Sequence, residues 1–122
     1  KGPDRTILVT DATSAAAAAP GVYGLGPMTL ERQQEPVALS PDTGRPAGSA
    51  VTLDQCLQNV INWFDLSLDD AISWASDNPR KILGNSISEN DFSDQWINWK
   101  KIKGLWKVFE VQTGKFKIQN YS

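Results

Sequence analysis

Asp11 is the carboxylate in this chain best placed for proton-transfer chemistry. It directly follows Thr6-Ile7-Leu8-Val9-Thr10, a short apolar and β-branched run that opens after Pro3 and Asp4. Such a run reads as a fully buried parallel strand. A carboxylate at the C-terminal end of a parallel strand lies on the face where (β/α) barrels carry their catalytic groups, and there it could act as a general acid or base. The same residue could equally be a helix cap or turn residue, the ordinary work of an aspartate after a strand.

Other chemistries find less support. Cys56 is the lone cysteine, and the sequence holds no histidine to activate it, so it reads as core in a reducing compartment and not as a nucleophile. The carboxylates of Asp4, Asp11, Glu31, Glu35 and Asp42 have no metal-ligand spacing, and there is no C-x-x-C or H-x-H pair, so no metal-ligating residue is assigned. No G-x-x-x-x-G-K loop is present to cradle a phosphate. Trp96, Trp99 and Trp106 interleave with Lys100, Lys101, Lys103 and Lys107, the composition of a single-stranded nucleic-acid platform. The plainer reading is a sheet core with solvated lysines. It agrees with a net charge of -2, which provides no basic field for nucleic acid or an anionic membrane.

The elements that must position Asp11 are unevenly legible. From Ala12 to Pro20 the chain is small and alanine-rich, a loop or one short helix stopped by Pro20 and Gly21. Residues of about 21–47 alternate turn chemistry (Gly26-Pro27, Pro41-Asp42, Thr43-Gly44) with short apolar stretches, and predict an irregular β-hairpin. Leu53, Cys56, Leu57, Val60, Ile61 and Phe64 fall on one helical stripe, and Thr52 with Gln55 forms a capping box before it. A second helix starts at Ser67 and buries Leu68, Ala71, Ile72 and Ala75. A third takes Asn78 as its cap, Pro79 as its first residue and Gly84 as its stop. After a polar stretch from Asn85 to Asp94, Gln95 to Lys100 and Leu105 to Val111 read as strands, with Thr113-Gly114 turning into Lys115 to Ile118.

At 122 residues the chain is far short of a complete (β/α)₈ barrel, which needs roughly 250. No apolar run approaches the roughly 18 residues of a membrane helix, and no signal-peptide pattern follows Lys1 to Asp4, so a soluble, cytoplasmic protein is expected. The start at Lys1-Gly2-Pro3, without an initiator methionine, is what an excised segment would present.

An ordered set of segments carries a resemblance. These are Ile7 to Ser14 (ILVTDATS), Gly21 to Leu25 (GVYGL), Ala47 to Leu53 (AGSAVTL) and Leu66 to Gly84 (LSLDDAISWASDNPRKILG). Together they resemble the C-terminal third of the N-acetylglucosamine-6-phosphate deacetylases, members of the amidohydrolase superfamily. The resemblance implies an α/β fold class: a C-terminal fragment of a (β/α)₈ barrel, its last strand and helices, plus part of a small β-sandwich. Residues 1–84 would be the barrel portion, with the hairpin as an insert, and residues 85–122 the strands of the small domain. The implied reaction removes acetate from N-acetylglucosamine 6-phosphate, a small-molecule sugar phosphate, to give glucosamine 6-phosphate.

The family's aspartate in VTDA falls on Asp11. It would take a proton from metal-bound water and pass it to the leaving amine. The sugar-contacting loop of the family falls on Gly44 to Ser49, which implies substrate-binding roles for Pro46, Ala47 and Gly48. Pro46 stands where the family has leucine, and it offers no backbone N–H. A divalent metal ion is implied as cofactor, held by histidines and a glutamate that this chain does not contain, and the whole protein could be a homo-oligomer. Two stretches depart from the family: the alanine run through Ala19, and Asn85 to Ser93, where its glycine-rich pattern is not recognisable. Two alternatives stand beside this reading. One is a non-catalytic remnant or interaction module; the other is a related amidohydrolase acting on another N-acetylated sugar phosphate or a cyclic amide. An isolated last strand with its helices is expected to fold poorly or self-associate.

Overall fold

The computed structural model describes residues 2–84, 95–114 and 116–119. It is a mixed α/β structure that divides into two compact units, one formed by Val9–Cys56 and the other by the segments up to Leu8 and from Leu57 onward.

The first unit is built on an antiparallel meander of four strands in sequence order, β1 (Gly21–Leu25), β2 (Met28–Arg32), β3 (Val37–Leu39) and β4 (Pro46–Ser49). The expected hairpin is therefore two hairpins longer than one, because each of its turns is tight enough to reverse the chain. Gly26, at φ 57°, provides the left-handed residue that the two-residue turn between Leu25 and Met28 needs. Ser40 closes the last turn by accepting the Gly44 N–H at 2.8 Å and donating to Arg45 O at 2.9 Å. The alanine-rich segment is a loop, with its turn at Ser14–Ala17. Ser14 Oγ donates to Gly24 O at 2.7 Å, and the Tyr23 hydroxyl donates to Ala19 O. Ala15 is fully buried with Leu30, Ala38 and Ala50, a core whose small side chains let the loop lie close on the sheet.

The second unit has a helical layer and a separate sheet. Helix α1 (Leu53–Phe64) begins in the first unit with its capping box formed, the Thr52 N–H donating to Gln55 Oε1 at 3.1 Å. Leu57, Val60 and Ile61 are buried in the core of the second unit, at about 1.5–3 kcal/mol each. The ends of the stripe, Leu53 and Phe64, are exposed. Asp65 takes φ 51°, and the Leu66 N–H reaches back to Ile61 O at 3.2 Å, the Schellman closure that usually uses glycine. Helix α2 (Leu68–Ile72) is capped by Ser67, whose hydroxyl oxygen accepts the Asp70 N–H at 3.1 Å, and Ala71 is fully buried.

Asn78 does not cap a third helix. A π-helical turn, Ser73–Asp77, joins α2 directly to α3 (Asn78–Ile82), with the Asn78 N–H donating to Ser73 O. The next π-type donor in line would be residue 79, but proline has none. The Trp74 carbonyl is left for the Leu8 N–H, which it accepts at 2.9 Å. The Asn78 side chain, 3% exposed, donates to Pro3 O at 2.9 Å and Thr6 O at 2.8 Å. Asn78 thus fastens the start of the chain to the helical layer.

The sheet of this unit contains β5 (Gln95–Ile102), β6 (Leu105–Thr113) and β7 (Phe116–Gln119), antiparallel in sequence order as the pattern predicts. Lys103 and Gly104 make its first turn, both with positive φ. Trp99 and Trp106 pack against the helical core, so these two do sheet-core work. Lys100 places its ammonium over the Phe109 ring, 3.3 Å from the centroid. The polar stretch Asn85 to Asp94, with the departure noted within it, and Lys115 lie outside the described residues.

Thr6–Thr10 needs correction as a buried parallel strand. It is extended, with Thr6 at φ -104° and ψ 134°, but among the described residues it joins no ladder. Val9 is 71% exposed and Ile7 39%. A buried parallel strand needs a neighbour on each edge, and every described ladder in this chain is antiparallel. No helix of the described residues is long and apolar enough to cross a membrane.

Candidate active site

Asp11 ends the extended segment with φ 50°, in the left-handed region that aspartate tolerates better than most side chains. The turn is held locally: Thr10 Oγ1 accepts the Ala12 N–H at 3.2 Å, spanning Asp11. The side chain of Asp11 is exposed, and its carboxylate has no hydrogen bond or ion pair with a described residue.

The next residues dock on the far edge of the meander. Ala12 pairs with Ser49 in an isolated parallel bridge. The Ser49 carbonyl accepts from Thr13 twice, from the backbone N–H at 2.9 Å and from the hydroxyl at 3.0 Å. The bridge thus seats the residue that follows Asp11 on the edge of β4. The structure therefore docks the residues just after Asp11, Ala12 and Thr13, on the end of the loop assigned to substrate.

Gly48 is the residue that permits this approach. Its φ is 157°, and a Cβ added there would collide with the Thr13 methyl. Pro46 pairs with Leu39 and Gly48 with Ala38, which leaves Ala47 as the extra residue of a bulge. Pro46 is tolerated because its missing N–H falls at this irregularity. Ala47 faces a shallow cleft of about 500 Å³ whose walls include Met28, Leu30, Ser40 and Asp42. Asp11, Pro46 and Gly48 are not among its walls.

The remaining candidates do not converge on Asp11. Glu31 accepts from Gln33 Nε2 at 3.2 Å. Cys56 is buried, and burial, then the charge of Asp54, pushes its thiol up, which opposes a thiolate nucleophile. No group of three or more His, Cys, Asp or Glu that could hold a metal ion exists among the described residues. Sequence reasoning missed Thr10, Thr13 and Ser49, the residues that fix the turn at Asp11 and the docking of the residues after it. Hydroxyls flanking an aspartate are a signal for such local clamps, but the partner carbonyl cannot be read from them.

No protein-family model matches the chain. A curated N-acetylglucosamine-6-phosphate deacetylase of Vibrio furnissii is 34% identical over 80 residues, which is 66% of this chain and 20% of that protein. The crystal structure of N-acetylglucosamine-6-phosphate deacetylase from Pasteurella multocida matches 96% of this chain and 31% of its own, with a TM-score of 0.74 at 20% identity, a likeness of fold. The Thermotoga maritima N-acetylglucosamine-6-phosphate deacetylase matches at TM-score 0.60 and 28% identity, over 69% of this chain and 23% of its own. A mutant of the Mycobacterium smegmatis enzyme in complex with N-acetyl-D-glucosamine-6-phosphate matches at TM-score 0.58 and 36% identity, over 68% of this chain and 23% of its own. The chain thus spans between a fifth and a third of the length of these relatives.

Proposed function

We propose that this chain, a partial segment of the N-acetylglucosamine-6-phosphate deacetylase family, carries the proton-transfer carboxylate and part of the sugar-binding surface of such an enzyme. The reaction is hydrolysis of N-acetylglucosamine 6-phosphate to glucosamine 6-phosphate and acetate, in the cytoplasm. The observation that carries this reading is the docking of Ala12 and Thr13 on Ser49 of β4, which holds the segment of Asp11, whose carboxylate has no partner among the described residues, at the end of the loop assigned to substrate.

In this reading Asp11 takes a proton from the water that attacks the acetamide carbonyl. It returns that proton to the amine as the C–N bond breaks, so one carboxylate serves as base and then as acid. Pro46, Ala47 and Gly48 line the sugar. The divalent cation implied by the family does not fit the residues of this chain alone. The sequence has no histidine, and the described residues hold no ligand cluster. Its ligands would belong to parts of the enzyme other than this segment.

The fold is read accordingly. Thr6–Thr10, extended and without a strand partner among the described residues, is the last strand of a barrel whose other strands are not in this chain. Residues 1–84 are the barrel portion and residues 85–122 the share of a small β-sandwich, in a protein that could assemble with further copies of itself.

The test is Asp11→Asn in the protein as produced by its own source, whose intact mass is measured first. Acetate release from N-acetylglucosamine 6-phosphate should fall by at least about 10²-fold while substrate binding persists. Wild-type activity in that variant, or an inactive parent protein, overturns the reading.

A further inference from the structure

We infer that Thr13 is a positioning residue, which couples the aim of Asp11 to the substrate loop through the Ser49 carbonyl. The inference rests on the proposed function and adds the device by which the site is assembled. Thr13 makes contacts of three kinds to the same two residues. Its N–H and its Oγ1 both donate to Ser49 O, at 2.9 and 3.0 Å, and its methyl lies against Gly48 Cα, where any Cβ would collide. Its Oγ1 also accepts the Ala15 N–H at 3.4 Å, which starts the turn leading into the buried Ala15. Thr13 is therefore held from the sheet on one side and from the core on the other.

Asp11 stands between this anchor and Thr10, whose Oγ1 accepts the Ala12 N–H. Its carboxylate has no partner among the described residues, so none of them sets its direction through the side chain. Its φ of 50° and the anchors on either side must do so. Ser49 is also the last residue of β4, so a shift of the loop at Gly48 moves the carbonyl that Thr13 holds. Loop and carboxylate then move as one body, and a ligand that seats the loop also seats the base.

The experiment compares Thr13→Val, Thr13→Ser and Asp11→Asn in the natural protein. Thr13→Val keeps the methyl and the N–H bond and removes the hydroxyl, and kcat should fall about tenfold or more through misplacement of the base. Thr13→Ser keeps the hydroxyl and should restore kcat to within about threefold of wild type. The acidic limb of the pH–rate profile, which reports the base, should move in Thr13→Val and return in Thr13→Ser. A purely structural role would lower the melting temperature of Thr13→Val without changing kcat or the profile of the folded enzyme, and that result overturns the inference. If Thr13→Val does not fold, Thr10→Val with the same readouts replaces it, since it loosens the other anchor. An Asp11→Asn variant without activity beside an unaffected Thr13→Val would sink the inference alone. A fully active Asp11→Asn would sink the function reading with it.

Discussion

Replacing Gly48 by alanine should undo the docking of the Asp11 segment. At φ 157° the backbone of Gly48 lies where L residues are rarely found, a strain of about 1–3 kcal/mol. The new Cβ would also press on the Thr13 methyl. Thr13 cannot rotate away without breaking its hydroxyl bond to Ser49 O, so overpacking adds about 1–3 kcal/mol. The expected loss is therefore about 2–6 kcal/mol, localised to the contact between Thr13 and β4. Amide hydrogen exchange reads it directly, since the Thr13 N–H is one of the bonds to Ser49. Exchange at Thr13 should accelerate at least about thirtyfold in Gly48→Ala. Adding Thr13→Ser removes the methyl and keeps the hydroxyl, so the double variant should regain about 1 kcal/mol or more of this loss. Unchanged exchange at Thr13 in Gly48→Ala would refute the reasoning, as would a double variant no better than the single one.

Two further predictions concern burial. Asn78→Ala removes both donors to Pro3 O and Thr6 O and should destabilise by about 2–3 kcal/mol, read by urea unfolding with tryptophan fluorescence; a loss under about 0.5 kcal/mol contradicts the fastening role. Because the folded Cys56 thiol is pushed up, its stabilising contribution is complete below the ordinary thiol pKa and is lost as pH rises through the raised value. The stability difference between wild type and Cys56→Ala should therefore narrow between about pH 7 and about pH 10, and a constant difference over that range refutes it.

Much of the fold was legible because it is encoded by neighbours. The capping box at Thr52 and Gln55, the Ser67 cap and the buried stripe at Leu57, Val60 and Ile61 follow from helical spacing alone. The β5–β7 strands follow from β-branched and aromatic runs broken by turn residues. The ordered motifs around Asp11 pointed to the family that the relatives also name.

Other features depended on partners that no local pattern specifies. Asn78 has the sequence of a helix cap, yet its amide finds carbonyls 72 and 75 residues away, and the missing N–H of Pro79 frees Trp74 O for Leu8. The meander from Gly21 to Ser49 was under-read because strands of three to five residues leave too little alternation to set a register. Thr6–Thr10 carries the composition of a buried strand, but burial requires neighbours, and among the described residues no strand pairs with it. For the candidate site, the sequence determined which residue types were present: an aspartate after an extended run, a glycine before Ser49 and threonines on either side of the aspartate. Only the tertiary structure decided that Thr13 and Ser49, 36 residues apart, share one carbonyl, because such a contact depends on where the chain returns in space.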